Sequence, residues 1–188
     1  MQRCSWVSLE NKDYVDYHDN EWGVPVFDDK IFFEFLVLEG AQAGLSWETI
    51  IKRRGGYRKA FSNFNPKTVA AYSEQKILEL INNPEIIRNK LKIRSAVKNA
   101  KLFLEIQNEF GSFSKYIWNF VNNKPVINLW KNITEVPIFS KEAEILSKDL
   151  KKRGFSFIGP TIIYAFMQAT GIVNDHTKNC FRHKELLG

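Results

Sequence analysis

The feature that most restricts how this chain can fold is the apolar run at residues 31–40, IFFEFLVLEG. We expect an apolar helix over 28–40, ended by Gly40 or by the sequence AQAG that follows. A helix that crosses a membrane needs about 18 or more apolar residues, and no uncharged run in the chain approaches that length, so this helix belongs in a protein core. Its end raises a question, because Glu39 stands there with Trp47 eight residues further on.

The other periodic segments also read as helices. Ser46 is expected to cap a new helix that has Glu48 in its first turn, and Asn65-Pro66 should open another, with Pro66 at its first position. Further helices are predicted over residues 90–110, 113–121, 140–152 and 160–171, and residues 122–137 form the longest irregular connection. There is no repeat and no alternation typical of several strands, so the predicted fold class is all-α.

Composition sets the remaining limits. The 188 residues suffice for one compact domain, or for two small lobes that share a core, and 44% are hydrophobic. The net charge of +6 suits a polyanionic partner without requiring one. No apolar signal segment opens the chain, which predicts a reducing cytoplasm. A disulfide between Cys4 and Cys180 is then less expected than free thiols or metal ligands.

Residues 149–171, DLKKRGFSFIGPTIIYAFMQATG, are arranged as a helical hairpin. Gly154 suits a left-handed position after the first helix. Gly159 lets the backbone come close to a ligand, and Pro160 suits the first turn of the second helix. The unpaired amides of that turn attract anions, and Lys151 and Lys152 stand just before the link. Such a hairpin could grip a DNA phosphate, or it could be an ordinary corner between two helices.

Cysteine and histidine fall into two groups near opposite ends of the sequence. Cys4 and His18 form one group, and His176 and Cys180 form the other, spaced so that they would share one face of a helix. Two sulfurs and two imidazoles would complete a closed, structural Zn²⁺ site that ties the two segments together. The alternative is two buried cysteines and two unrelated histidines. The remaining histidine, His183, is predicted to be solvated.

Five segments together closely resemble bacterial 3-methyladenine DNA glycosylase I: MQRCSWVS, YHDNEWGVP, LEGAQAGLSW, KKRGFSFIGPT and FMQATGIVNDH. The resemblance runs from Met1 to about Cys180 and keeps the order of these motifs. It implies one helix-hairpin-helix glycosylase domain over residues 1–188, with the DNA-binding element at about 140–171. It also implies a zinc ion on the four Cys and His residues. The implied activity is hydrolytic removal of 3-methyladenine from double-stranded DNA, which leaves an abasic site.

The resemblance also implies a pocket for the damaged base. Glu39 is the catalytic residue and Tyr17 and Trp47 are the stacking walls, with four further residues around them: Trp6, Tyr14, Trp22 and Gln42. Methylation at N3 makes adenine cationic, and aromatic faces attract cations by roughly 0.5–2 kcal/mol. A carboxylate can accept hydrogen bonds from the edge of the base. From the residues alone, Glu39 could equally cap a helix or form a salt bridge, and the aromatic residues could be core.

Three further features of the sequence bear on the reaction. Leu45, at the tip of the turn 43–46, could fill the space that a flipped nucleotide leaves, or could simply cover the core. Asp175 falls loosely where many relatives carry a catalytic aspartate. It adjoins His176, so a supporting role is at least as plausible, and it stays outside the catalytic set. Residues 160–175 contain no lysine, which predicts an enzyme that leaves the DNA strand intact.

Two other functions remain open at this point. A DNA-binding module without enzymatic activity would share the hairpin and the charge, but it gives no reason for Glu39 among aromatic residues. A zinc hydrolase would require an open coordination position. We also expect a monomer that does not bind membranes, with free 3-methyladenine as its product.

Overall fold

The computed structural model of the chain describes residues 1–187, so the end of the predicted domain at Gly188 lies outside the described residues. The helices are α1 (Lys12–Asn20), α2 (Asp29–Gln42), α3 (Trp47–Ala60), α4 (Pro66–Ala70), α5 (Glu74–Asn82), α6 (Lys90–Phe110), α7 (Phe113–Asn119), α8 (Lys141–Lys152), α9 (Pro160–Ala169) and α10 (Phe181–Glu185). Two-residue strands β1 (Val126–Ile127) and β2 (Val173–Asn174) pair in parallel. The chain is therefore predominantly helical, as predicted, and its division into a single domain stays a prediction.

Helix α2 lies at the centre of the molecule. Every residue from Phe32 to Ala41 is buried, because the helix is apolar on nearly all sides and packs against α3, α6, α7 and α9. It begins after Asp28, whose carboxylate accepts the first free backbone amides. It continues through Gly40 and ends at Gln42, so the second of the two predicted end points is correct. Within residues 1–187, no helix combines the length and the apolar character needed to cross a bilayer.

The predicted helix starts are confirmed where a capping residue marks them. Ser46 Oγ accepts the backbone N–H of Thr49 at 3.3 Å. Asn65 Oδ1 accepts the N–H groups of Lys67 and Thr68, and Pro66 occupies the first helical position. These caps fix where α3 and α4 begin, and the cap at Ser46 therefore sets the position of Trp47, the first residue of α3.

The N-terminal and C-terminal segments meet beside α9. The backbone N–H of Gly23 donates to the carbonyl of Gln168 at 2.9 Å. Gly171 has φ +65, and a Cβ atom placed there would lie 2.2 Å from the carbonyl carbon of Val24. Only glycine fits so close to another backbone. This contact brings the residues around position 20 next to those around position 170.

The link between α8 and α9 packs against the end of α2. Gly154 follows α8 with φ +99, in the left-handed conformation predicted for it. The side chain of Asn99 holds the link by donating to the carbonyl of Ser156 at 2.9 Å and accepting its N–H at 3.0 Å. Phe157 lies over Gly40, where a Cβ atom would be 3.6 Å from the Phe157 Cβ. The helical hairpin therefore rests one residue away from Glu39.

Candidate active site and metal cluster

A cavity of about 400 Å³ opens between the first three helices and α9. Its lining includes all seven residues predicted to hold a base: Trp6, Tyr14, Tyr17, Trp22, Glu39, Gln42 and Trp47. Pockets for small ligands commonly begin at about 300 Å³. The structure therefore brings the predicted set together around a space that is large enough for a nucleobase, and their roles toward a base stay a prediction.

Glu39 is a buried carboxyl group at the wall of this cavity. Its residue is only 3% exposed, and Oε2 has no hydrogen-bond partner within residues 1–187. Burial raises the pKa of Glu39 well above its usual value, because the charged form loses its hydration. The capping and salt-bridge roles left open by the sequence therefore find no partner among the described residues. What remains is an acceptor oxygen at the cavity wall.

Aromatic rings form the walls beside this carboxyl group. The Tyr17 and Trp47 rings lie 5.5 Å apart between centroids, tilted by 50°. On the other side, Trp6 contacts Tyr14 and Trp22 edge to face, with centroids 5.2 and 5.0 Å apart. The indole N–H groups of Trp6 and Trp47 are buried without partners in the described chain. The cavity thus combines flat apolar surfaces with a free acceptor and free donors, the features that a nucleobase requires.

The floor of the cavity includes Asp175, which is 1% exposed and fully hydrogen-bonded. Its Oδ1 accepts from Asn128 Nδ2 and from Trp130 Nε1, each at 2.7 Å. Its Oδ2 accepts from the Tyr164 hydroxyl at 2.5 Å and from Gln168 Nε2 at 2.7 Å. One carboxylate therefore ties the connection before α8 to helix α9. This geometry suits the supporting role that the sequence left open for Asp175, with both oxygens already occupied.

Two groups of lining residues were not found from the sequence. Helix α9 contributes Thr161, Tyr164, Ala165 and Gln168. Their spacing of three, four and seven residues marks one helix face, so this signal was available. The connection before α8 contributes Ile133, Val136, Pro137 and Ile138, which form the outer wall. Ile138 is 75% exposed, and nothing in the irregular sequence around it indicates a pocket.

The predicted DNA-contacting residues lie outside the lining of the cavity. Leu45 is 41% exposed in the turn between α2 and α3, and Lys151 and Lys152 are exposed at the end of α8. Gly159 has an ordinary φ of −57, and a Cβ atom there would meet nothing within 4 Å. Neither the backbone conformation nor protein packing demands glycine at this position. The neighbouring Arg153 is already paired with Glu109 and Asp149.

The four predicted metal ligands are brought together. Cys4, His18, His176 and Cys180 are all buried, and their ligand atoms lie within 4.8 Å of one another. Each sulfur lies 3.4 or 3.5 Å from a ring nitrogen of a partner histidine. A tetrahedral Zn²⁺ with the usual bond lengths separates sulfur from nitrogen by about 3.6 Å. The spacing of the donor atoms therefore fits a four-coordinate ion.

The surroundings of the histidines fix which nitrogen faces the cluster. His18 Nδ1 lies 2.8 Å from a carboxylate oxygen of Asp19, and Arg3 holds that carboxylate from the other side. His176 Nε2 lies 2.9 Å from the Trp22 carbonyl. With these outer nitrogens protonated, the inner ones carry the lone pairs that a metal needs. Contact with Cys4, and then with the two histidines, lowers the pKa of Cys180, whereas the same contact raises the pKa of Cys4, so the thiolate of the pair is favoured at Cys180.

Two details of the predicted cluster are wrong. His176 and Cys180 do not share a helix: His176 lies two residues after the end of β2, outside any helix, and Cys180 is the capping residue of α10. A short turn brings them together instead. His183 is not solvated but 3% exposed, and its Nε2 lies 2.9 Å from the Asn128 carbonyl. Burial there anchors α10 to the connection that also forms the outer wall of the cavity.

The fold and the cavity define a helical protein with a site for a small, flat, hydrogen-bonding ligand. The model of the methyladenine glycosylase family matches residues 6–183. The chain is 46% identical over 180 residues to DNA-3-methyladenine glycosylase 1 of Escherichia coli strain K12, covering 96% of each protein. The chain belongs to the methyladenine glycosylase family.

Solved structures agree with this assignment. A crystal structure of 3-methyladenine DNA glycosylase I matches with a TM-score of 0.93 at 45% identity, over 96% of this chain and 98% of that one. The enzyme of Staphylococcus aureus, solved to explain 3-methyladenine recognition, matches with a TM-score of 0.92 at 38% identity, over 96% of each chain. The similarity therefore extends over almost the whole of both chains.

Proposed function

We propose that this chain is a DNA repair enzyme that removes 3-methyladenine from double-stranded DNA by hydrolysing its N-glycosidic bond. One observation supports this most strongly: at the wall of an aromatic cavity, the buried Oε2 atom of Glu39 has no hydrogen-bond partner among residues 1–187. A buried acceptor left unpaired costs about 1–3 kcal/mol, and a ligand with donors on its edge removes that cost. A DNA-binding module without a base pocket gives no reason for this arrangement.

The lesion supplies much of its own reactivity. Because methylation at N3 leaves the base cationic, breaking the C1′–N9 bond returns the bonding electrons to a base that departs neutral. The sugar becomes an oxocarbenium ion at C1′, and a water molecule adds there and loses a proton. Strong acid catalysis is therefore unnecessary. The task of the protein is to extract the nucleotide and to prefer the methylated base over ordinary adenine.

Residues of the cavity perform that selection. Glu39 faces the N6 and N7 edge of the base and accepts a hydrogen bond from the N6 amino group, while Tyr17 and Trp47 flank its faces. Because the carboxyl group is buried, water does not weaken these interactions. Trp6, Tyr14, Trp22 and Gln42 complete the enclosure. The base-reading and catalytic role of Glu39 is thus one of recognition and charge stabilisation.

DNA is held outside the cavity. Helices α8 and α9 act as a helix-hairpin-helix element, with Gly154 and Gly159 shaping the link and with Lys151 and Lys152 adding charge. The open space at Gly159 allows a phosphate to approach the first amides of α9. Leu45 enters the stack that the lesion leaves. None of the described residues that line the cavity is a lysine, in keeping with an enzyme that does not cut the strand.

A structural Zn²⁺ on Cys4, His18, His176 and Cys180 completes the proposal. Such an ion would supply cross-linking between the N-terminal and C-terminal segments. None of the four residues lines the cavity, and their four donor atoms leave no coordination position for a substrate. This arrangement disfavours a zinc hydrolase. The cytoplasmic location and the monomeric state predicted from the sequence stay predictions.

The deciding experiment is base release from methylated DNA. Duplex DNA treated with a methylating agent is incubated with the purified chain, and the released bases are separated by chromatography. We expect free 3-methyladenine, with the strand intact until alkali is added. If the chain binds free 3-methyladenine but releases none from DNA, it is a binding protein and the proposed enzymatic activity is wrong. Release of 7-methylguanine at the same rate would contradict the selectivity proposed for the cavity.

A further inference from the structure

The turn between α2 and α3 lies between residues proposed to bind the base and the residue proposed to enter the DNA stack. Glu39 and Gln42 precede it, Trp47 follows it, and Leu45 lies at its exposed tip. The last carbonyl groups of a helix have no partners within the helix, and the last turn of α2 contains no basic residue of its own. The backbone N–H of Leu45 donates to the Gln42 carbonyl at 2.6 Å, so the turn has one bond of its own, and a further anchor must come from an interaction elsewhere in the fold.

That interaction comes from Lys92 on α6. Its Nζ donates to the Ala41 carbonyl at 2.8 Å and to the Ala43 carbonyl at 2.5 Å, across 51 and 49 positions of sequence. An ammonium group has three donors, and two of them are used here. A positive charge at this end of a helix is also favoured by the helix dipole. Partial burial lowers the pKa of Lys92, as expected for a side chain directed into the fold.

We propose that Lys92 is a positioning residue for base excision: it holds the turn 43–46 so that Leu45 is presented to the duplex when the lesion leaves the stack. This inference rests on the proposed function, and it adds a residue that touches neither base nor sugar. Lys92 reaches over the end of α2 to fix the two carbonyls that bracket Gln42. Without that contact, Leu45 keeps its local bond to the Gln42 carbonyl, but the turn loses its link to α6.

Two residues of the base pocket, Glu39 and Trp47, are held in place without this contact. Glu39 belongs to the buried part of α2, where every residue from Phe32 to Ala41 is covered by other helices. Trp47 is positioned by α3, whose start is capped by Ser46. Loss of Lys92 should therefore release the turn while it leaves the carboxyl group and the indole in place. Base affinity and excision from DNA should separate.

The test replaces Lys92 with methionine, which keeps the length of the side chain and removes its donors. Lys98→Met is the matched control, because Lys98 is exposed on the same helix and its loss changes the net charge equally. We expect the dissociation constant of free 3-methyladenine to stay within about twofold in both variants. Single-turnover excision from duplex DNA should fall about tenfold or more in Lys92→Met only.

A double-mutant cycle with Leu45 tests the route of the effect. If Lys92 acts through Leu45, then Lys92→Met should cause little further loss in a Leu45→Ala background. Additive losses would overturn the proposal. If Lys92 instead contacts a phosphate, its loss should lower the salt dependence of DNA affinity by about one unit more than Lys98→Met does. That result would also overturn it.

A merely structural role gives another pattern. Excision and base affinity would then fall together, in proportion to a lower melting temperature, and this too would reject the proposal. If the methionine variant does not fold, Lys92→Gln, which keeps one donor group, replaces it in the test. We then expect a smaller loss of excision, again with little change in base affinity. Failure of the wild-type chain to release 3-methyladenine would reject the proposed function itself, whereas full activity of Lys92→Met in an active wild-type background would reject only this inference.

Discussion

Glu39→Gln is the most direct test of the cavity, because Glu39 Oε2 is buried and has no partner within residues 1–187. Glutamine keeps the shape and one acceptor, but it cannot become the carboxylate that pairs with the bound base, and it presents a donor where the second acceptor was. A hydrogen bond to a charged group contributes about 1.5–3 kcal/mol, against about 1 kcal/mol for a neutral pair. The expected loss of about 0.5–2 kcal/mol weakens binding of free 3-methyladenine by about 2- to 30-fold.

Two measurements on the same variant decide what Glu39 does. The dissociation constant for free 3-methyladenine is measured by calorimetry, and the excision rate is measured in single turnover on methylated DNA. We expect both to weaken by similar factors, because the lesion's own charge supplies most of the leaving-group activation. Loss of nearly all turnover with unchanged affinity would refute this reasoning and would make Glu39 a general base for water.

The same variant has a pH signature in its stability. Burial raises the pKa of Glu39, so the folded chain keeps a proton that the unfolded chain releases once the pH passes the usual glutamate value. The folded state then binds more protons than the unfolded state, and stability falls as the pH rises. Glutamine does not titrate. As the pH rises from the usual glutamate value toward the raised pKa of the folded chain, the melting temperature of Glu39→Gln should therefore increase relative to that of the wild type. A constant difference would show that burial is not the cause.

Four further predictions address the rest of the molecule. Elemental analysis of reduced protein should find about one zinc per chain, and Cys180→Ser should lower both the zinc content and the melting temperature, whereas metal-free wild-type protein of unchanged stability would oppose the proposed site. Gly159→Leu should fold normally and weaken DNA binding about tenfold, with the affinity for the free base unchanged. Gly55→Leu, at another glycine where a Cβ atom would meet nothing within 4 Å, should leave the affinity for DNA unchanged. Borohydride should trap no covalent complex with DNA that contains the lesion; a trapped complex would reveal an unrecognised amine. Asp175→Asn should lower the free energy of unfolding, measured by urea titration, by about 1–3 kcal/mol. The new amide group would face donors whose hydrogen bonds the carboxylate accepts in the wild type.

Much of the helical framework could be predicted because its signals are local. Ser46 and Asn65 mark helix starts, because their side-chain oxygens accept hydrogen bonds from free backbone amides two or three residues later. The charged and apolar periodicity of residues 90–110 gives the bounds of α6, which the structure confirms as Lys90–Phe110. Such effects act within one turn of helix, so the sequence alone contains them.

The remaining features depend on distant parts of the chain. His176 and Cys180 have a helical spacing, yet the pairing of β2 with β1 extends the backbone there and a turn replaces the helix. The outer wall at residues 133–138 has no periodicity, and Asp175 finds two of its donors more than forty positions away. From the residues alone, Glu39 and the Cys and His groups each kept a structural alternative. The order of five long motifs, rather than any single spacing, pointed to the site.

The cluster of Cys and His residues joins two parts of the chain that the ribosome makes at very different times. Cys4 lies 172 positions before His176. Cys4 is therefore made near the start of synthesis and His176 near its end. At roughly 5–20 residues per second, the ribosome needs roughly 10–35 s to make the intervening chain. Through that interval the Cys4 thiol has no complete ligand set and depends on a reducing environment. If the cluster binds the proposed zinc, a cell short of that metal would hold chains whose central helices are packed while their first and last segments stay unjoined.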